Sequence, residues 1–273
     1  MTVPQPVHKV AFLGLPYDAS SSFLRGPALA PVEVAKELRS DATNPYSENG
    51  LHIDLDSTLE DRANLALPTD PETARDAIDR QVADILSENG RALCVGGDHF
   101  VSYPILRAYA KAFANLTVVQ FDAHPDLYDS FEGNRYSHAC PFARVMEEGL
   151  ATRLVQIGIR TMTPHQREQA DRFGVEVIEM RNFSQTLELS FDGPVYITFD
   201  LDGLDPAFAP GVSHQEPGGF STREALSIIH AIDAPIVGAD VVELNPTTDI
   251  GGMTAKVAAR LVKEIASQMM IER

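Results

Sequence analysis

The chain has 273 residues, with 39 acidic against 22 basic side chains and a formal net charge of −17. That balance argues against a nucleic-acid binder, and no apolar run reaches the roughly 18 residues that a membrane span needs. Two cysteines, Cys94 and Cys140, are too few for a disulfide scaffold and suit the cytoplasm, and the opening MTVPQPVHKV lacks the apolar core of a secretion signal.

The first predicted strand covers 9–14 (KVAFLG). The stretch 40–68 is polar and irregular and reads as an excursion or insertion, not a domain boundary. Asp70-Pro71 then opens a helix, with Ile78, Val82, Ile85 and Leu86 on one face and Asn89-Gly90 as its stop. Strands follow at 92–96 (ALCVG), 116–121 (LTVVQF) and 153–158 (RLVQIG). Thr163-Pro164 opens another helix, ahead of strands at 175–178 (VEVI) and 195–200 (VYITFD). Ser221-Thr222-Arg223-Glu224 reads as a capping box before Leu226, Ile229 and Ile232. A strand at 236–241 (IVGADV) precedes a last helix from about Thr254, which aligns Val257, Leu261, Ile265 and Met269. Most of these strands are continuously apolar, which signals burial on both faces and a mostly parallel sheet covered by helices. With no internal repeat or linker, the expectation is one α/β domain over residues 1–273.

In open sheets of this kind, ligands sit beyond the carboxyl ends of the strands. Three predicted strand ends carry acids and imidazoles there: Gly96-Gly97-Asp98-His99, Asp122-Ala123-His124-Pro125-Asp126 and Asp200-Leu201-Asp202. On an extended backbone, side chains two apart share a face, so Asp122, His124 and Asp126 converge, as do Asp200 and Asp202. Four carboxylates so close repel unless a cation lies between them. Mixed oxygen and nitrogen donors, too many for one structural zinc, favour hard octahedral ions such as Mn²⁺, and two divalent ions offset four aspartates. Singly, each motif has an ordinary reading: Asp98 as a turn residue, His99 as a core histidine, the DxHxD run as a surface turn. Their coincidence at three strand ends favours a metal site.

The chain resembles the ureohydrolase family, which includes arginase and agmatinase. The resemblance rests on GGDH at 96–99, DAHPD at 122–126, SHACP at 137–141, TFDLDGLDPAFAPGVSHQEPGG at 198–219 and DVVELNP at 240–246, with GLPYDASSSFLRGPALAP at 14–31 matching the entry segment. It implies the arginase-like fold, a single three-layer domain with a sheet of about eight strands, one more than the seven predicted above. It implies two Mn²⁺ per subunit, with His99 and Asp126 on one, His124 and Asp202 on the other, and Asp122 and Asp200 bridging; Asp126 also counts among the catalytic residues. His138 matches the family's mobile proton-shuttling histidine and Glu243 the acid that orients the guanidinium. Asp98 and Asp205 read as supporting groups. The resemblance also implies a homo-oligomer, a trimer or hexamer.

The implied chemistry is cleavage of a small cationic guanidino compound to urea and an amine. An acid-rich site suits a guanidinium and not a phosphate ester, which argues against a two-metal phosphatase. GPALAP at 26–31 lacks the ending of a nucleotide-binding loop. The segment GNRYSH before His138 looks closer to agmatinase than to arginase, which makes agmatine, yielding putrescine, the first substrate expected. Guanidinobutyrate or another guanidino acid is the alternative if Arg135 points inward; a non-catalytic metal-bound scaffold is the alternative of another class. Phe100 and Ala139-Cys140 depart from the family's usual residues beside the site. Cys140 itself reads as a small buried thiol.

Overall fold

A computed structural model describes residues 9–184 and 189–271. The reading of the N-terminal segment as lacking a secretion signal falls mostly on residues 1–8, outside that range.

Among the described residues, eight strands form one sheet: β1 (Val10–Gly14), β2 (Glu60–Asn64), β3 (Arg91–Val95), β4 (Thr117–Phe121), β5 (Arg153–Ile159), β6 (Glu176–Glu179), β7 (Val195–Asp200) and β8 (Ile236–Val242). Their order is β2-β1-β3-β8-β7-β4-β5-β6, and every pairing is parallel. Seven coincide with the predicted strands. The eighth, β2, lies inside the stretch read as an irregular excursion, and that reading is corrected here. Its sequence, EDRAN, carries no apolar face because it is a largely exposed edge strand with nothing to bury.

Seven helices among the described residues cover the sheet: α1 (Ala30–Leu38), α2 (Pro71–Ser87), α3 (Ser102–Ala112), α4 (Pro141–Glu147), α5 (Pro164–Phe173), α6 (Thr222–Ala231) and α7 (Met253–Met270). One core joins α1, α6 and α7 to one sheet face through Val34, Ile229, Leu261 and Ile265 against Phe12, Val119, Ile197 and Val241. The other joins α2 to α5 to the opposite face through Ile78, Val82, Leu106 and Phe142 against Leu13, Val118, Leu154 and Tyr196. Burial on both faces accounts for the unbroken apolar runs.

The helix starts follow their local chemistry. The Asp70 carboxylate accepts from the Thr73 N–H at 2.8 Å to cap α2. Thr163 with Gln166, and Ser221 with Glu224, form reciprocal capping boxes on α5 and α6. The rest of the 40–68 stretch is tied down on α7. Lys263, buried, donates to the Asn44 carbonyl at 2.9 Å, and buried Glu264 accepts from the Glu48 N–H at 3.0 Å while pairing with Arg260 and His230. These contacts explain two charges on a buried helix face, which are tolerated only when paired.

Candidate functional site

The strand order brings the carboxyl ends of β3, β8, β7 and β4 side by side, and the chemistry-bearing residues follow directly after them. Beneath them runs a polar row set by strand register: Asp240, Thr198, Gln120 and Gln156 are neighbours on β8, β7, β4 and β5. All four are fully buried. Gln156 donates to Gln120 Oε1 at 2.7 Å and Gln120 to Asp122 Oδ2 at 2.6 Å. Thr198 donates to Asp240 Oδ1 at 2.7 Å and lies 3.0 Å from Nε2 of His99. This layer escaped sequence reading because four isolated polar residues inside apolar strands carry no periodic signal.

The two histidines sit in separate acidic nests. Nδ1 of His99 lies 3.1 Å from Asp122 Oδ2, 3.0 Å from Asp126 Oδ2 and 3.1 Å from Asp200 Oδ2. Nδ1 of His124 lies 3.0 Å from Asp202 Oδ2 and 3.6 Å from Asp122 Oδ1. Asp122 therefore faces both nests, one oxygen to each. The second oxygen of Asp200 instead accepts from the Asp202 N–H at 2.8 Å. Among the described residues, His99, Asp122 and Asp200 form one group able to hold a metal ion, and Asp122, His124 and Asp202 another.

A test of fit comes from His99. Its Nδ1 is buried and makes no hydrogen bond, although three carboxylate oxygens lie within 3.1 Å. Thr198 gives its own proton to Asp240, so it accepts one from Nε2 of His99, which leaves a lone pair on Nδ1. A lone pair facing three carboxylates is a cation's place, and the donor set fits a hard divalent ion.

Without that cation the acids crowd one another. Burial first, then Asp202 and Asp122, push the Asp200 carboxyl well above its ordinary range. Burial and Asp122 push Asp126 up to about 6. Asp122 moves the other way: burial would raise it, but His124 and His99 together hold it low. Asp126 also adopts a left-handed backbone, with φ of 50°. A non-glycine residue held there costs energy and persists at a site that needs the resulting side-chain direction.

Beside the nests, Glu243 is also left-handed, with φ of 64°. Its Oε1 accepts from the His99 N–H at 2.9 Å and lies 2.8 Å from Nδ1 of His138. Burial opposes charge on His138, but Glu243 outweighs it and pushes the imidazole up to about 9. Helix α4 starts three residues beyond His138, at Pro141.

Asp98 and Asp205 support loops. Asp98 accepts from the Ser20 N–H at 2.9 Å, while Asp205 accepts from Ala207, Gly218 and Gly219. Gly97 lets this segment cross Tyr17: a Cβ there would lie 1.5 Å from the Tyr17 carbonyl oxygen. Arg135 points outward, bound to Asp129 and Glu147 at 2.9 Å each. Both cysteines are free and buried.

A cleft of about 240 Å³ opens over these groups. Besides His124, Asp126, His138, Asp200, Asp202 and Glu243, its lining includes Ser22, Tyr128, Phe131, Thr161, Gln166, His214 and Glu216, with no lysine or arginine. The seven additional residues were not singled out from sequence. His214 and Glu216 lie within the quoted segment 198–219, and their place after a ligand-bearing strand was the available signal. The ring of His214 lies 5.2 Å from that of His138 and 5.9 Å from that of His124.

Residues 8–267 match the sequence model of the Arginase family. The chain belongs to the arginase family. It is 45% identical to Arginase 1, mitochondrial, of Arabidopsis thaliana, over 95% of this chain and 80% of the relative. It is 32% identical to agmatinase of Bacillus cereus, over 94% of this chain and 90% of the relative. Among solved structures, the arginase of Medicago truncatula superimposes with a TM-score of 0.87 at 40% identity, covering 97% of this chain and 88% of that one. The chain is thus an arginase-family amidinohydrolase, with the three-layer fold of its relatives. Among its described residues no helix is long and apolar enough to cross a membrane.

Proposed function

We propose that this arginase-family protein uses two Mn²⁺ ions to hydrolyse a guanidino compound to urea and an amine. The observation that carries the reading is Asp122, whose two oxygens face two separate His/Asp nests at the floor of an acid-lined cleft. His99 and Asp126 would hold one ion, His124 and Asp202 the other, with Asp122 and Asp200 shared. When bound, such a pair supplies a water activated for attack near neutral pH.

The protein's own groups do the rest. Glu243 commits Oε1 to His138 and the His99 N–H, and its Oε2 is left for the substrate guanidinium. The cleft carries excess negative charge, which draws a cation in and repels phosphate esters. His138, which Glu243 keeps protonated at neutral pH, gives the departing amine its proton.

For the substrate, L-arginine is the first choice: relatives named arginase match at 45% identity, one named agmatinase at 32%. The Tyr128 hydroxyl and the Gln166 amide N–H offer neutral donors for a carboxylate, and Glu216 an acid for an α-ammonium group. Agmatine is the second reading, favoured by the absence of any lysine or arginine from the cleft and by the outward turn of Arg135. That outward turn also removes the specific argument for a guanidino acid. Two free buried cysteines suit a reducing compartment such as the cytoplasm, and we read the protein as a homo-oligomer by family likeness.

The test is urea release after Mn²⁺ loading, with L-arginine, agmatine and 4-guanidinobutyrate in parallel. L-Arginine is expected to give the highest kcat/KM. Preference for agmatine reverses the substrate order. No urea from any of them, with both ions bound, points to a non-catalytic scaffold.

A further inference from the structure

The loop 17–26 crosses the cleft beside His138, and its anchoring is more elaborate than a surface connection needs. Asp98, buried at the end of β3, takes no part in the His/Asp nests. Its Oδ2 holds the Ser20 N–H at 2.9 Å and the Ser21 hydroxyl at 3.3 Å. The His138 N–H donates to the Ser20 carbonyl at 3.1 Å, and the Ser213 hydroxyl to the Leu24 carbonyl at 2.8 Å. The result is one contact: Nε2 of His138 lies 2.8 Å from Ser22 Oγ and 3.2 Å from the Ser22 N–H. The other ring nitrogen, Nδ1, lies 2.8 Å from Glu243 Oε1. Both nitrogens of the imidazole are therefore clamped, one from β8 and one from the loop.

We propose that Ser22 is a positioning residue for the reaction: it holds the His138 ring against Glu243 and gives Nε2 a hydrogen-bond partner in both of its protonation states. When Nε2 is bare, the Ser22 N–H and hydroxyl donate to its lone pair. When Nε2 carries a proton, the hydroxyl rotates and accepts it, while the fixed Ser22 N–H gives up its acceptor. An imidazole that must lose and regain a proton each turnover is served by such a partner, because neither state leaves a ring nitrogen unpaired. The proposal rests on the reading of His138 as the group that handles the proton. Loss of the Ser22 hydroxyl leaves the metal nests untouched, since Ser22 contacts none of their residues.

The experiment compares the wild type with Ser22→Ala and Ser22→Thr. In Mn²⁺-loaded enzyme, Ser22→Ala is expected to lower kcat roughly tenfold with KM and metal content unchanged, part of the 10²–10⁴ that proton transfer contributes. Ser22→Thr, which keeps the hydroxyl, is expected to restore most of it. A second readout needs no turnover. In ¹⁵N-histidine-labelled protein, the ring signals of His138, assigned by their loss in His138→Asn, are expected to shift or broaden in Ser22→Ala and to stay in place in Ser22→Thr. Wild-type kcat together with unmoved His138 signals in Ser22→Ala overturns the proposal, as does a loss of activity that tracks a fall in metal content or Tm. If wild-type enzyme releases no urea, the functional reading fails separately, and the ring signals still decide whether Ser22 holds His138.

Discussion

The hydroxyl of Thr198 holds Nε2 of His99 at 3.0 Å, and the direction of that bond is set from behind by Asp240, which takes the threonine's own proton. Two buried residues on neighbouring strands, Thr198 on β7 and Asp240 on β8, thus determine which nitrogen of His99 faces Asp122, Asp126 and Asp200. Thr198→Val preserves shape and deletes the acceptor. It is expected to weaken the ion at the His99 nest by about 10–100-fold, the range found for loss of a group that orients a metal-binding histidine. Thr198→Ser is expected to retain affinity. Competition with a calibrated chelator measures both.

Among the described residues, Asp122 is the one acid whose oxygens face both His99 and His124. Asp122→Asn is expected to lose at least one ion and nearly all activity, read by metal analysis of the purified protein alongside urea release. Full activity with both ions retained would remove Asp122 from its shared role.

The crowding of the acids gives the metal-free protein a pH dependence of known sign. Folding raises Asp126 to about 6 and Asp98 to about 8 from 3.8, in each case through burial first. The folded state then binds more protons than the unfolded chain, so stability falls as pH rises from about 4 to 8. His138 acts in the same direction, its contribution complete below 6.5 and lost as pH rises through about 9. The lowered acids, Asp122 and Glu243, contribute stability that is constant above their ordinary carboxylate range and is lost only as the pH falls below it, so they leave the slope between pH 5 and 8 unchanged. Thermal melts in chelator are expected to show Tm declining from pH 5 to 8, and saturating Mn²⁺ to raise Tm most at the upper end.

Metal-free protein carries a related expectation at Asp200, whose charge is opposed by burial, Asp202 and Asp122. Asp200→Asn is expected to melt higher than wild type in chelator and lower in saturating Mn²⁺. That crossing distinguishes a residue kept for binding from one kept for stability.

Arg160 donates to five backbone carbonyls, those of Gly158, Asp202, Gly203, Leu204 and Glu216. It therefore joins the turn that carries Asp202 to the loop that carries Glu216 at the cleft. Arg160→Met is expected to cost about 3 kcal/mol or more, since several carbonyls lose a charged donor at once. Arg160→Lys is expected to recover part of that, because an ammonium cannot span both segments. Urea denaturation measures the stability, and KM for cationic substrates reports the displaced Glu216.

Much of this was legible because parallel strands buried on both faces must be apolar throughout, and acids placed directly after them stand out. Asp122, His124, Asp126, Asp200 and Asp202 were visible for that reason. The edge strand β2 was not: EDRAN has neither an apolar run nor alternation, and only its pairing with β1 makes it a strand. Helices α1 and α3 went unassigned: no capping side chain marks either start, and each carries a proline, Pro31 or Pro104, in its first turn. Ser22 and Gln166 carry no local mark of function; one comes from a loop and the other from the first turn of α5, brought together at the cleft from distant parts of the chain.

The neighbour order of the sheet has a consequence for biogenesis. The third strand pairs with the eighth and the fourth with the seventh, so His99 acquires its Glu243 contact only once the last strand is in place. A nascent chain emerging from the ribosome holds its histidines and first aspartates long before their partners exist. The two His/Asp nests are therefore completed among the last events of maturation, and a product truncated before β7 would lack Asp200 and Asp202 altogether.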